Sequence, residues 1–272
     1  GQLNGVTHNF NLSYTGTNPD PGWNLVGNPY PCNYDLNGVA LLTGAGDDVD
    51  NTVYFNREGG YAYWNIITGG TTGYSDIMPP MQGFFVHARA TGKILNLPAS
   101  SKTVSAALPL RSKGAETESK NTLLEPVKKV KLVLNNGALN DETIVCLIND
   151  ATAGFDSDYD AYKLFATGAT APSIYTVINS VKYAINTVQG PGDTQIVIPV
   201  TVDIKRAGTY NIDISEFENL GDTKVVLKHG LVETILSQSS SYSFTSGTGI
   251  FNDFELIIGD AGTATGVDSR PE

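Results

Sequence analysis

Ile196-Val197-Ile198-Pro199-Val200-Thr201-Val202 and, just past Gly208, Tyr210-Asn211-Ile212-Asp213-Ile214 are the stretch on which the fold turns. Ile196, Ile198, Val200 and Val202 recur at every second position, and so do Tyr210, Ile212 and Ile214. Successive strand side chains point to opposite faces, so this period marks strands with one buried face. The same pattern recurs on either side, with Val130, Leu132 and Leu134 alternating with Lys129, Lys131 and Val133. Further strands are predicted at 143–149, 173–178, 181–186, 223–228, 231–236, 241–246 and 253–258, with a tight hairpin at Lys228-His229-Gly230-Leu231. Short strands at such regular spacing predict a sandwich or jelly roll. Helix is expected only as a single turn around Ile214-Ser215-Glu216-Phe217.

Toward the N-terminus the alternation returns in Val6, His8, Phe10, Leu12 and Tyr14. More strands are predicted near 23–27, 51–56, 60–67, 82–89 and 93–97. Between them lie turn clusters such as Asn18-Pro19-Asp20-Pro21-Gly22, Gly44-Ala45-Gly46-Asp47-Asp48 and Thr68-Gly69-Gly70. A composition break separates the two halves. Arg111-Ser112-Lys113-Gly114-Ala115-Glu116-Thr117-Glu118-Ser119-Lys120 is too polar to bury an ordering core, which reads as a linker. The expected organisation is therefore all-β. Two tandem β-sandwich or jelly-roll-like domains, 1–105 and 123–260, are joined by a polar linker at 106–122 and followed by a tail at 261–272.

The chain carries a formal charge of −11 over 272 residues, with only 17% charged positions. That acidity repels a phosphate backbone and argues against nucleic-acid binding. The Lys128, Lys129, Lys131 run reads as a solvated strand face. No apolar run is long enough to span a membrane, so no insertion is expected. The chain opens at Gly1-Gln2-Leu3 without an initiator Met, which reads as a processed piece of a longer protein. Of the two cysteines, Cys146 sits in an apolar strand, where a thiol is usually a small buried hydrophobe. Free thiols are favoured over a Cys32–Cys146 bridge between the halves.

Catalytic motifs are missing from the sequence, with no nucleophile elbow, phosphate loop or zinc-binding His-Glu-x-x-His. His8, His87 and His229 are scattered and read as structural. No catalytic residue is assigned and no cofactor is expected, calcium being the one candidate ion. Asp156, Asp158 and Asp160 alternate as calcium-loop carboxylates do, yet Ala161 and Thr167 stand where an EF-hand needs Gly and Glu. Backbone capping by these side chains is the plainer reading. Asp47, Asp48 and Asp50 form a second candidate calcium cluster beside a solvated-turn alternative. Aromatic residues crowd the first half. Trp23 and Trp64 read as core, while Tyr61, Tyr63 and Tyr74 are the candidate contact surface, since a ring with a polar tip can stack on a sugar or a peptide side chain.

Two phrases together, Gly22-Trp23-Asn24-Leu25-Val26-Gly27-Asn28-Pro29-Tyr30-Pro31 and Pro80-Met81-Gln82-Gly83-Phe84-Phe85-Val86, resemble a module near the C-termini of large secreted Bacteroidetes proteins. Asp156-Ser157-Asp158-Tyr159-Asp160-Ala161-Tyr162-Lys163-Leu164, the Tyr183-Ala184-Ile185-Asn186 strand and Ser241-Tyr242-Ser243-Phe244 resemble the module that follows it. Such pairs commonly precede a sorting domain read by the type IX secretion system. The resemblance stops short of that sorting domain, and Asn252-Asp253 stands where the family pattern has an Arg before Phe254. The resemblance implies a β-rich protein that is secreted or held at the outer-membrane surface, and it supplies no catalytic residues. The function expected from it is non-catalytic binding in cell adhesion, with a glycan or protein at the cell surface as partner. A carbohydrate-binding accessory of a larger secreted enzyme and a structural spacer are the alternatives. Gly83 is further expected to mark a bulge or a close backbone approach.

Overall fold

The computed structural model describes residues 4–15, 21–36, 49–57, 60–104, 126–165, 170–190 and 194–259. In the first half the strands are β1 (His8–Asn11), β2 (Trp23–Gly27), β3 (Asn33–Asp35), β4 (Thr52–Arg57), β5 (Gly60–Asn65), β6 (Gly69–Gly70), β7 (Ile77–Met78), β8 (Gly83–His87), β9 (Ile94–Leu97) and β10 (Lys102–Thr103). In the second they are β11 (Lys128–Asn135), β12 (Asn140–Leu147), β13 (Ala161–Tyr162), β14 (Ser173–Ile178), β15 (Val181–Val188), β16 (Ile196–Ile204), β17 (Gly208–Glu218), β18 (Val225–His229), β19 (Val232–Ile235), β20 (Ser241–Ser246) and β21 (Gly249–Ile258). Among the described residues there is no α-helix, only a 3-10 turn at Ala99–Ser101. The protein is all-β, as the alternation predicts.

The second half is one eleven-stranded sheet in the order β19-β18-β21-β16-β14-β15-β12-β11-β17-β20, with β13 added on β15. Its inner face is built from the predicted alternating residues, including Val130, Leu132, Ile198, Val200, Ile212 and Ile214. The sheet coils until its ends meet. His229 of β18 stacks on Phe254 at 4.0 Å, and its Nδ1 lies 2.9 Å from the Tyr242 hydroxyl of β20. Side chains thus bridge a nearly closed, barrel-like sheet. The turn of helix expected at 214–217 is instead continuous strand. Glu216 pairs with Lys131 and Ile214 with Leu132, so Ser215 is the extra residue of a β-bulge.

In the first half, a five-stranded sheet β2-β8-β4-β5-β6 packs on two smaller ones, β1-β9 and β10-β3-β7. Tyr30, Leu36, Val53, Trp64, Phe84 and Leu97 fill the space between. The two phrases quoted for the family resemblance become neighbouring strands, with Trp23 opposite His87 and Gly27 opposite Gly83. Asn28 locks them together. Its N–H donates to the Gln82 carbonyl, and its amide donates to the carbonyls of Cys32 and Pro79. Gly83 sits in regular register, and a Cβ there would make only ordinary contacts, so the expected bulge is not found. The glycines that the fold requires are Gly22, at φ +94° with a Cβ that would lie 2.0 Å from the Ala88 carbonyl oxygen, and Gly70, where a Cβ would lie 2.1 Å from the Tyr63 carbonyl oxygen.

The short strands β3, β6, β7, β10 and β13 escape the sequence pattern, because two or three residues are too few for a period to register. Residues 105–125, which contain the predicted linker at 106–122, and the tail at 261–272 lie outside the described residues. Their two flanking halves nevertheless share a buried layer. Tyr54 and Tyr63 from the first sheet pack with Ile144, Cys146, Ala161, Ala184 and Ile185 from the second.

Candidate functional site

The seam between the halves explains most of the polar residues that sequence reading placed on the surface. Strand β11 turns Val130, Leu132 and Leu134 into the second core and Lys129 and Lys131 toward the first half. Lys131 is 2% exposed, donates to the Gly70 carbonyl at 2.8 Å and pairs with Glu216. Lys129 pairs with Glu216 at 2.6 Å. The lysine run is therefore not a solvated face. Only Lys128 is exposed. Burial works against the charge on Glu216, but Lys131 and Lys129 prevail and hold its carboxyl below the ordinary value. Glu142 accepts from the Thr72 N–H at 2.8 Å and its hydroxyl at 2.9 Å.

The aspartate loop also serves the seam. Asp156 accepts from the N–H and hydroxyl of Thr152. Asp158 accepts from the Asn51 amide at 2.9 Å. Asp160 is fully buried and accepts from the N–H groups of Asp156 and Thr187. Burial raises its carboxyl to about 7, against those hydrogen bonds. These carboxylates cap backbone and side-chain donors instead of converging on an ion. Among the described residues no three His, Cys, Asp or Glu side chains come together to hold a metal. Asp47 and Asp48 lie outside the described residues, and Asp50 is turned inward, its Oδ2 2.7 Å from His87 Nδ1. Both cysteines are free thiols, and burial pushes Cys146 up to about 12.

Where the seam reaches the surface it opens into a cleft of about 860 Å³. Pro21 leads into β2 and Trp23 opens it, Tyr61 comes from β5, Phe85 and His87 come from β8, and Arg89 lies just past its end. Tyr162 ends β13 and Lys163, Leu164 and Phe165 follow it, while Ser180, Val181 and Lys182 come from the β14–β15 hairpin. That hairpin turns on Asn179 and Ser180, both at positive φ, as a two-residue turn between strands demands. The rings meet edge to face. Trp23 lies 5.0 Å from Tyr54 and 6.2 Å from Tyr162, and Tyr61 lies 6.0 Å from Phe85. Phe155 stacks on Tyr162 from behind at 3.9 Å, which fixes that ring.

Two ionisable groups of the cleft, His87 and Lys163, are held by fixed partners. His87 lies between Asp50 and the Pro21 carbonyl, 3.0 Å from its Nε2. The Pro21 oxygen can only accept, so Nε2 carries a proton. Lys163 meets Asp141 at 2.5 Å, and burial lowers its ammonium below the ordinary value against that pairing. The Tyr162 phenol is pushed up to about 12 by burial and by the charge of Asp50, so it stays neutral.

Of the three tyrosines predicted to form a contact surface, only Tyr61 lines the cleft. Tyr63 is 2% exposed, with its hydroxyl donating to the Glu142 carbonyl across the seam. Tyr74 stacks on Phe55 at 5.8 Å against the first core. Trp64 is core, as expected, but Trp23 is half-buried at the cleft. Sequence reading missed Trp23, His87, Tyr162 and Lys182 as site residues. The strands that carry them pair within their own halves, and the cleft arises only where the two halves come together, which no local period signals.

No curated protein and no solved structure matches this chain. A family model described as a domain of unknown function, DUF8693, matches residues 49–257. The match begins just before β4, crosses the seam and ends within β21, taking in both layers of the shared core and most of the cleft lining. The chain belongs to this DUF8693 family.

Proposed function

We propose that the chain is a non-catalytic binding segment of an exported bacterial surface protein, and that it holds a glycan in the cleft at its seam. The observation that supports this is the gathering of Trp23, Tyr61, Phe85, Tyr162 and Phe165 around one open cleft. Flat faces with polar tips suit the apolar faces and hydroxyl edges of sugar rings. The ionisable groups nearby favour binding over chemistry, since His87 and Lys163 are both engaged by fixed partners. Export by the type IX route and adhesion as the role rest on the family resemblance of the sequence phrases quoted above, and an organisation of two sandwich modules joined across 106–122 rests on the strand alternation and the polar break between them.

A rigid spacer is the second reading, favoured by the hydrogen-bonded seam that joins the halves. A glycan array probed with the whole chain and with Tyr61→Ala separates the two. Glycan binding that the variant loses supports the binding segment. A blank array supports the spacer.

A further inference from the structure

We infer that the cleft selects acidic saccharides, rings bearing carboxylate or sulfate groups, over neutral ones. This rests on the glycan-binding reading above. The chain as a whole carries −11, yet the described residues lining the cleft include Arg89, Lys163 and Lys182 and not one Asp or Glu. The charge of Lys163 is spent on Asp141. Arg89 and Lys182 are exposed, and they come from opposite halves, so an anionic ring lying along the seam meets both. Lys182 Nζ hangs 5.1 Å from the Phe165 ring centroid and 5.4 Å from that of Tyr175, which keeps the ammonium over the aromatic wall rather than out in solvent. A local cationic site on an acidic surface concentrates field lines at the cleft and draws anionic ligands there.

A peptide strand is the less suited occupant. Strand addition needs an open main-chain edge, and at the edge strand β2 beside the cleft the segment at Ser13 is tied across Asn24. The Asn24 side chain accepts from the Ser13 N–H and hydroxyl and donates to the Ser13 carbonyl. What the cleft offers is side chains: rings to stack on, and two cations placed to meet charged substituents.

The test is calorimetric titration of the whole chain with three hexasaccharides: heparin-derived (sulfated), galacturonate (carboxylated) and maltohexaose (neutral). At least one acidic probe is expected to bind about tenfold more tightly than the neutral one, and less tightly as salt rises. The two acidic arms show which anion is preferred. Lys182→Ala and Arg89→Ala are each expected to lower the acidic affinity by about five- to tenfold while changing neutral binding less than twofold. Lys128→Ala, exposed and outside the cleft, is the control and is expected to change nothing. Equal affinity for neutral and acidic probes overturns the inference but leaves glycan binding standing, and so does equal loss on Lys128→Ala. Failure of all three probes to bind overturns both.

Discussion

The hydroxyl oxygen of Tyr54, in the first half, accepts a hydrogen bond at 2.8 Å from the main-chain N–H of Tyr162, in the second. Tyr54 is fully buried, and Tyr162 supplies a wall of the cleft. The seam and the site are therefore one construction, since the contact that joins the halves also places a ligand-facing ring. Tyr54→Phe keeps the ring and removes the acceptor. Leaving that N–H unmatched is expected to lower stability by about 1–3 kcal/mol in urea denaturation, and to weaken glycan binding although no cleft group is removed.

The buried ion pairs of the seam make a sharper case. Glu216→Ala leaves Lys131, 2% exposed, without its counter-charge. Breaking a buried pair costs about 3–5 kcal/mol, whereas replacing both partners with apolar residues is often neutral. Denaturation is expected to show a large loss in Glu216→Ala and substantial recovery in the double variant Lys131→Met, Glu216→Leu. Equal losses in the two would mean that the pair itself carries the stability.

Asp160 makes stability depend on pH in the opposite sense to a salt-bridged carboxylate. Its proton stays until about pH 7 in the folded chain, against an ordinary value of 3.8. Folding therefore binds a proton between those values, so the contribution is most favourable below about pH 4 and is lost as pH rises through 7. The stability of the wild type relative to Asp160→Asn is expected to fall across that window by a few kcal/mol at most, because each tenfold change in proton affinity is worth about 1.4 kcal/mol. A difference that is flat or rises with pH would contradict the assignment.

How much of the fold was legible in the sequence follows from what periodicity can carry. The core strands were, down to the face that Val130, Ile198 and Ile212 present, because a half-buried strand writes its burial into every second residue. Ser215 was not. A bulge breaks the period by one residue, which in sequence resembles the start of a helical turn. Lys131 and Tyr63 were misplaced for a related reason. They sit on the second faces of sheets that are buried on both sides, and sequence reading assumes water on one. The cleft could be inferred only in part, as an excess of aromatic residues with Tyr61 among them.

Chelation is expected to leave the chain untouched. Asp156 and Asp160 hold backbone N–H groups and Asp158 holds the Asn51 amide, so the loop needs no ion to satisfy its carboxylates. The melting temperature in EDTA should equal that in calcium, whereas a calcium-dependent rise would indicate a bound ion.

Binding at the seam is tested most directly by locating a bound ligand. Hydrogen–deuterium exchange of the whole chain, with and without the tightest-binding glycan from the array, reports this without any mutation. Added protection is predicted at 85–89, 162–165 and 180–182 together, because the cleft is assembled from both halves. Protection confined to one half, or lying away from these segments, would contradict the seam as the binding site.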